Sequence, residues 1–297
     1  MSVGRVAVID GKVVTPEAAA VSVYDRGFLY GDAVFEVLRT YGGRPFALDE
    51  HLARLRRSAE RVYIALPVDE ATLRAEIDAG IAAAGNPESY VRVIVTRGQG
   101  PLSLDPDTAQ SPLRVILVEP VVPPPRDAYV RGIALVTVRT RRAADETSAS
   151  GAKVSNYLAN LLALREAHLR GAQEALIVDA NDHVVEGASS NVFLVEKGRL
   201  STPPESAGIL PGITRAHILE AARALRIPAD EHAITLHRLH HADEVFITSS
   251  IRELLPVVLV DGRLVGNGQP GPVARALHRR FRDAVGMAGQ PMPYDPA

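Results

Sequence analysis

Two spacings of apolar residues along the chain predict a mixture of strands and helices. From Tyr90 to Thr96, three valines alternate with Tyr90, Arg92 and Ile94, which is typical of a half-buried strand. Between Glu70 and Ala84, apolar residues recur every three to four positions. Asp69 precedes this segment and Gly85 follows it, so we predict a capped helix. Strands and helices follow one another without strict alternation, which favours an α+β fold over a doubly wound sheet.

Turn and cap residues place the remaining elements. Asp10-Gly11 predicts a hairpin, and Asp49 is expected to be the N-cap of another helix. The segment 140–148 is expected to be a polar connection. The other predicted strands are 5–9, 12–14, 21–26, 33–41, 113–118, 133–139, 174–178, 184–185, 192–195, 244–248 and 255–260, and the other helices follow Lys153 and cover 213–225 and 273–284.

The length and one proline-rich segment predict two domains. A chain of 297 residues has room for two ordinary domains. The run Pro120–Pro125 is stiff and cannot continue a strand ladder, so it is the best candidate linker. We therefore predict an N-terminal domain over 1–119, a linker over 120–130 and a C-terminal domain over 131–297.

Composition excludes several classes of function. The net charge of −2 gives no electrostatic basis for binding nucleic acid or an anionic membrane surface. Cysteine is absent, which rules out disulfides and thiolate metal sites. The sequence shows no signal peptide and no apolar run long enough to span a bilayer, so we expect a cytoplasmic protein. His237, His240 and His241 fit solvated histidines better than metal ligands, and no metal site is expected.

Lys153 is the first candidate for chemistry. It is the only lysine between Lys12 and Lys197 in a chain that otherwise prefers arginine. Unlike arginine, a desolvated lysine can lose its proton and become a nucleophile. Lys153 is therefore a candidate Schiff-base former, although a solvated lysine before a helix is the alternative.

Two segments could bind an anion. Gly212, Ile213 and Thr214 end a loop and open a helix, where free backbone N–H groups and a hydroxyl could hold a phosphate. Thr248-Ser249-Ser250 closes an apolar strand with consecutive hydroxyls. An ordinary capped helix and an ordinary turn are the respective alternatives.

One cofactor would use these features together. Glu186 follows an apolar strand and, if buried, needs a cationic or protonated partner. Pyridoxal phosphate requires a lysine, a phosphate site and a carboxylate beside its pyridine nitrogen. Arg54 is a further candidate phosphate ligand, and Tyr157 could bond the ring oxygen.

Two other classes of protein remain as alternatives. Ser150 and Lys153 match the Ser-x-x-Lys of serine acyl enzymes, and Ser189 and Asn191 match its Ser-x-Asn companion. The third element, Lys-Thr-Gly, is missing, and Ser150 precedes the predicted helix, so this class is disfavoured. A non-catalytic binding protein is disfavoured by the complete set of lysine, carboxylate and phosphate elements.

The motifs resemble those of class IV, or fold type IV, pyridoxal-phosphate transaminases. Segments 24–39 and 51–55 are similar to the family's N-terminal signature, and 153–164, 185–193, 209–215 and 244–256 are similar to its C-terminal signatures. The resemblance implies a two-domain α+β subunit with pyridoxal 5'-phosphate held between the domains. It also implies a homodimer in which a loop of the partner subunit helps to form the site.

The same resemblance implies roles for individual residues. Lys153 would carry the cofactor and move the proton, Glu186 would pair with the pyridine nitrogen, and Tyr157 would bond the ring oxygen. The implied phosphate ligands are Arg54, Ile213, Thr214, Ser249 and Ser250.

Within the family, the residues favour branched-chain substrates. D-amino-acid transaminases have an Arg-x-His pair where this chain has Leu102 and Leu104. We expect transfer between L-branched-chain amino acids and 2-oxoglutarate, with D-amino-acid transaminase, (R)-selective amine transaminase and aminodeoxychorismate lyase as alternatives. The expected substrate-binding residues are Tyr30, Phe35, Arg39, Tyr90, Arg92, Leu104 and the amide of Ile251.

Overall fold

The computed structural model describes residues 4–139 and 149–295, which fall into two compact units. The first contains the described residues of Met1–Val122 and Thr147–Tyr157, and the second those of Pro123–Glu146 and Leu158–Ala297. The predicted polar connection over 140–148 lies outside the described residues.

The grouping of the chain differs from the predicted division in two respects. The segment that holds Lys153 belongs to the first unit, because Val154 forms a β-bridge with Val34. Within the predicted linker, Arg126–Arg131 is a helix of the second unit, since its Tyr129 is buried in that unit's core. Neither the bridge to Val34 nor the burial of Tyr129 can be predicted from the neighbouring residues in the sequence.

The first unit is built on an antiparallel sheet. Its strands are β1 (Val6–Ile9), β2 (Lys12–Val14), β3 (Ala33–Tyr41), β4 (Arg44–Pro45), β5 (Ser89–Thr96) and β6 (Arg114–Pro120), and its helices are α1 (Arg26–Tyr30), α2 (Leu48–Arg61) and α3 (Glu70–Ala84). The described strands have the order β2-β1-β6-β5-β3-β4, and each neighbouring pair is antiparallel. Leu52 and Leu55 of α2, Ile77 of α3 and Val93 of β5 belong to one buried cluster against this sheet.

Local cap signals determine α3 as predicted. The Asp69 carboxylate accepts the Thr72 N–H at 2.8 Å, and Gly85 ends the helix with φ 64°. The N-cap predicted for α2 was wrong, because the cap residue is Ala47 and Asp49 lies in the first turn. The Asp49 carboxylate pairs with Arg74 of α3 instead of capping its own helix.

The predicted strand over 21–26 was also wrong, because α1 begins at Arg26. The Asp25 carboxylate accepts the Gly27 N–H at 2.7 Å and the Thr96 hydroxyl at 2.8 Å. A cap of this kind turns the chain out of the extended conformation.

The second unit is a mixed sheet flanked by helices. Its strands are β7 (Ile133–Arg139), β8 (Glu174–Val178), β9 (His183–Gly187), β10 (Asn191–Glu196), β11 (Arg199–Thr202), β12 (Ala229–Glu231), β13 (Ile234–Thr235), β14 (Glu244–Ser249), β15 (Glu253–Val260) and β16 (Arg263–Leu264). Its helices are α4 (Arg126–Arg131), α5 (Leu158–Leu169), α6 (Ile213–Ala224), α7 (Leu236–His240) and α8 (Pro272–Arg282). The described strands run β12-β11-β10-β14-β15-β7-β8-β9-β13, with β16 on β15. Parallel pairs (β11–β12, β15–β7, β7–β8) mix with antiparallel ones, which confirms the α+β class.

The two faces of β10 and β14 have different surroundings. Val192 and Ile247 point into one buried apolar cluster. The opposite face carries Phe193 and Phe246, whose rings stack at 5.0 Å, and α6 packs against β14. None of the described helices has the length and hydropathy needed to cross a membrane.

Candidate active site

The backbone of Lys153 is fixed between β3 and α2. The Phe35 N–H donates to the Lys153 carbonyl at 3.0 Å, next to the bridge between Val34 and Val154. The Lys153 N–H donates to the Ser58 hydroxyl of α2 at 3.0 Å. Lys153 is therefore in an extended segment paired with a strand, and the predicted helix begins only at Leu158.

Aromatic rings and a hydroxyl surround the Lys153 amine. Its Nζ lies 3.3 Å from the Tyr157 Oη and 4.5 Å from the centroid of the Phe35 ring. The Phe35 and Tyr157 rings meet edge to face at 5.2 Å. The Arg92 guanidinium carbon stands 4.0 Å from the Phe35 centroid. The structure thus brings four of the predicted site residues together.

Arg54 lies in a buried ionic cluster that the sequence analysis missed. Its Nε and Nη2 each donate to a different oxygen of Glu36 at 2.7 Å, and His51 Nδ1 lies 2.7 Å from Glu36 Oε2. Glu36 and His51 are each 1% exposed and Arg54 5%. The available signal was a lone carboxylate within the apolar strand 33–38, which requires a partner.

Burial and neighbouring charges have opposite effects on the pKa of Glu36. Burial alone would raise the pKa of Glu36, but the Arg54 guanidinium and the hydrogen bonds from Arg54 and His51 lower it to about 2. Burial lowers the pKa of His51 below its ordinary value, against the opposing effect of the Glu36 carboxylate. The cluster at neutral pH is therefore an ion pair hydrogen-bonded to an uncharged imidazole.

Four of the other predicted substrate residues lie in the sheet, in α1 and in one loop of the first unit. Arg39 and Tyr90 are directly opposite each other on β3 and β5. Tyr30 ends α1 beneath the Arg26 guanidinium. Leu104 is 80% exposed in a loop whose carbonyl oxygen at Ser103 accepts from Arg26 at 2.7 Å.

In the second unit, Glu186 is connected to the start of α6. The Leu210 N–H donates to Glu186 Oε2 at 3.0 Å, and Asn191 Nδ2 donates to the Leu210 carbonyl at 2.9 Å. Glu186 is 9% exposed, so its carboxylate has little contact with solvent. The loop before α6 is thus held by side chains from β9 and β10.

The N-terminus of α6 has the properties of an anion site. It begins at Ile213 after Gly212, and no described side chain caps it. A Cβ at Gly212 would lie 1.8 Å from Asn191 Oδ1, so any other residue at this position would displace the Asn191 side chain. The buried Thr214 is in the first turn, where backbone N–H groups have no partner within the helix.

Two buried hydroxyl groups of the second unit have no partner among the described residues. They belong to Thr248, opposite Asn191 on β14, and to Ser190, which precedes β10. The predicted Ser249 follows Thr248, and its Oγ accepts the Arg252 N–H at 3.3 Å. Ser250 and Ile251 continue the turn into β15.

A second network, of hydrogen bonds and an ion pair, joins the turn before β10 to the turn after β14. Arg252 Nη1 lies 3.1 Å from Glu174 Oε2 and donates to Ser189 Oγ at 2.9 Å. Ser189 in turn donates to the buried Glu174 at 2.9 Å. Sequence reasoning singled out neither Glu174 nor Arg252, because their pairing depends on strands distant in sequence.

Comparisons with known proteins give consistent results. The family model for amino-transferase class IV matches residues 33–260. The chain is 38% identical over 275 residues to a putative branched-chain-amino-acid aminotransferase of Methanocaldococcus jannaschii, covering 93% of this chain and 94% of that protein. It is 31% identical over 276 residues to a D-alanine aminotransferase of Bacillus licheniformis, covering 93% and 95%. The structure matches the branched-chain amino acid aminotransferase of T.th., solved with pyridoxamine 5'-phosphate, at TM-score 0.90 and 30% identity, covering 96% of this chain and 95% of that one.

Proposed function

Because the chain belongs to the class IV aminotransferases, we propose that it transfers amino groups between L-branched-chain amino acids and 2-oxoglutarate. Aminotransferases of this class use pyridoxal 5'-phosphate, and so does this enzyme. The substrate proposal rests on one observation, the Arg92 guanidinium stacked on Phe35 beside the Lys153 amine. This arrangement offers a cation for a carboxylate and an apolar ring for an aliphatic side chain.

The donor groups in each unit fit the cofactor. Lys153 supplies an amine for its covalent attachment, and the Tyr157 hydroxyl is suited to the ring oxygen. Glu186 supplies a buried carboxylate for the pyridine nitrogen. The uncapped start of α6 and two buried hydroxyls without partners among the described residues suit a phosphate group. The proposed phosphate ligands are Arg54, Ile213, Thr214, Ser249 and Ser250.

The proposed reaction assigns a separate task to each side chain. The cofactor, when bound, supplies a ring that accepts electrons from the substrate α-carbon. Once released from its attachment to the cofactor, Lys153 Nζ would be the base that accepts and returns the substrate α-proton, with Tyr157 Oη 3.3 Å away. Glu186 keeps the pyridine nitrogen protonated. Arg92 binds the substrate carboxylate, and the Phe35 ring limits the access of water.

D-amino-acid transamination is the second candidate, because one of the similar proteins is a D-alanine aminotransferase. The presence of Leu102 and Leu104 in place of an Arg-x-His pair argues against it. We also propose a homodimer, in accordance with the exposed loop that carries Leu104.

A half-reaction screen tests the substrate proposal. The absorbance of the enzyme-bound cofactor is followed after separate addition of L-leucine, L-glutamate, D-alanine and (R)-1-phenylethylamine. We expect rapid conversion with L-leucine and L-glutamate only. Faster conversion with D-alanine or with the amine would contradict the L-branched-chain assignment and leave the class of enzyme intact.

A further inference from the structure

The Thr248 hydroxyl is buried without a partner among the described residues. Its side chain is 1% exposed, and Oγ1 has no hydrogen bond to any of them. Buried polar atoms are nearly always hydrogen-bonded, because a buried hydroxyl without a partner loses its bonds to water and gains none. Such an atom at the end of a strand in the candidate site is available to donate to a ligand.

Strand pairing determines which face of the sheet Thr248 occupies. Thr248 lies directly opposite Asn191 in the antiparallel pair of β14 and β10, and residues in that relation project to the same face. Asn191 reaches the loop before α6 on that face, since Nδ2 donates to Leu210 and Oδ1 closely approaches Gly212. The Thr248 hydroxyl therefore faces the side of the sheet on which α6 begins.

The start of α6 and the hydroxyl are suited to the same ligand. The helix has 12 residues and no side-chain cap among the described residues, so its first N–H groups and its dipole favour an anion. A threonine hydroxyl can donate one hydrogen bond to such an anion. A phosphate group has enough acceptor oxygens for the amides and the hydroxyl together.

We propose that Thr248 is a further phosphate-binding residue, whose Oγ1–H donates to the phosphate group of the cofactor. This inference rests on the proposed cofactor site and extends it beyond Ser249 and Ser250. The proposal has two consequences. The hydroxyl lowers the stability of the cofactor-free protein, and it increases the affinity of the protein for the cofactor.

The substitution Thr248→Val tests both consequences. Valine keeps the shape and removes the hydroxyl, so the melting temperature of the cofactor-free protein should stay the same or rise. Affinity for the phosphate ligand should fall about tenfold, or about 1.4 kcal/mol. Thr248→Ser retains a hydroxyl and should restore most of the affinity.

Thr202→Val is the matched control. Thr202 is fully buried on β11, but its Oγ1 donates to the Val192 carbonyl at 2.8 Å. Removing this paired hydroxyl should lower the melting temperature of the cofactor-free protein. Only the Thr202→Val variant should therefore have a lower melting temperature than the wild type in the cofactor-free state.

Binding is measured on cofactor-free protein with pyridoxamine 5'-phosphate, which forms no covalent bond to Lys153, and separately with inorganic phosphate. We expect Thr248→Val to weaken the binding of both ligands. Unchanged affinity for pyridoxamine 5'-phosphate, or weaker binding of it with unchanged affinity for phosphate, would overturn the assignment. A lower melting temperature of the cofactor-free variant would also overturn it. No amino acid is present, so failure of the proposed substrate would leave these results unaffected.

Discussion

The Glu186 carboxylate accepts a hydrogen bond from the backbone and is also the group proposed to pair with the pyridine nitrogen. A substitution by glutamine separates these two roles. Glu186 Oε2 accepts the Leu210 N–H at 3.0 Å, a bond that a glutamine oxygen can also accept. Glu186→Gln should therefore retain the cofactor. It should lose activity by about a hundredfold or more, because a neutral amide cannot keep a pyridine nitrogen protonated.

The measurement is the rate of single-turnover conversion with L-leucine, together with the affinity for the cofactor. Glu166→Gln is the control, since Glu166 is exposed on α5 and pairs with Arg170 over one helical turn. A rate within about twofold of wild type for Glu186→Gln would mean that the carboxylate has no electronic role.

Residues with an unusual identity could be singled out from the sequence as site candidates, whereas contacts between side chains distant in sequence could not. Lys153 was singled out because it is an isolated lysine, and Glu186 because it follows an apolar strand, and the roles of both stay predictions. The Glu36 carboxylate of the ionic cluster was missed, since its bonds to His51 and Arg54 join β3 to α2. Side-chain pairs of this kind depend on the fold, and a single sequence does not contain them.

At the scale of elements, the ionic cluster makes the attachment of α2 to β3 dependent on pH. The Glu36 pKa is lowered from 4.5 to about 2 in the folded protein, so its contribution is complete above pH 4.5 and is lost as the pH falls toward 2. The pKa of His51 is lowered from 6.5, so the unfolded chain takes up this proton first and stability declines below pH 6.5. Both effects reduce the free energy of unfolding in acid.

Glu36→Gln should remove the acid-dependent part of this contribution and destabilise the protein at neutral pH. It leaves the Arg54 guanidinium buried without its counter-charge, which costs about 3–5 kcal/mol. Denaturant unfolding between pH 3 and 8 measures the effect as the difference from wild type. The exposed pair of Arg5 and Glu119 provides a control, since Glu119→Gln should change stability by less than about 1 kcal/mol. Equal losses in the two variants would contradict the assigned role of the cluster.

Helix α3, which has a local start signal and a local stop signal, was predicted accurately. Asp69 and Gly85 bound α3, because a cap and a left-handed glycine act within one turn of the helix. Helix α1 was missed although its cap residues Asp25 and Gly31 are local. The extended segment at Lys153 was missed because its bridge partner, Val34, lies far away in the sequence.

At the scale of the whole molecule, the exposed loop around Leu104 allows the proposed homodimer with shared sites to be tested. The Leu104 side chain is 80% exposed, although the Arg26 guanidinium holds the loop by its carbonyl oxygens. An apolar side chain on a fixed loop is suited to contact with a second copy of the chain. If it acts in the partner's site, then Lys153 and Leu104 of one site come from different chains.

Mixing two inactive variants tests this arrangement. Lys153→Ala and Leu104→Glu, each inactive alone, should recover part of the wild-type activity when they are unfolded together and refolded as mixed dimers. A mixed dimer has one site with an intact Lys153 from one chain and an intact Leu104 from the other. The control experiment uses Lys197→Ala in place of Lys153→Ala. Because Lys197 is exposed, this variant should be active by itself, before it is mixed with Leu104→Glu. If light scattering detects dimers but the mixture stays inactive, Leu104 acts in the site of its own chain, because then no mixed dimer contains a complete site.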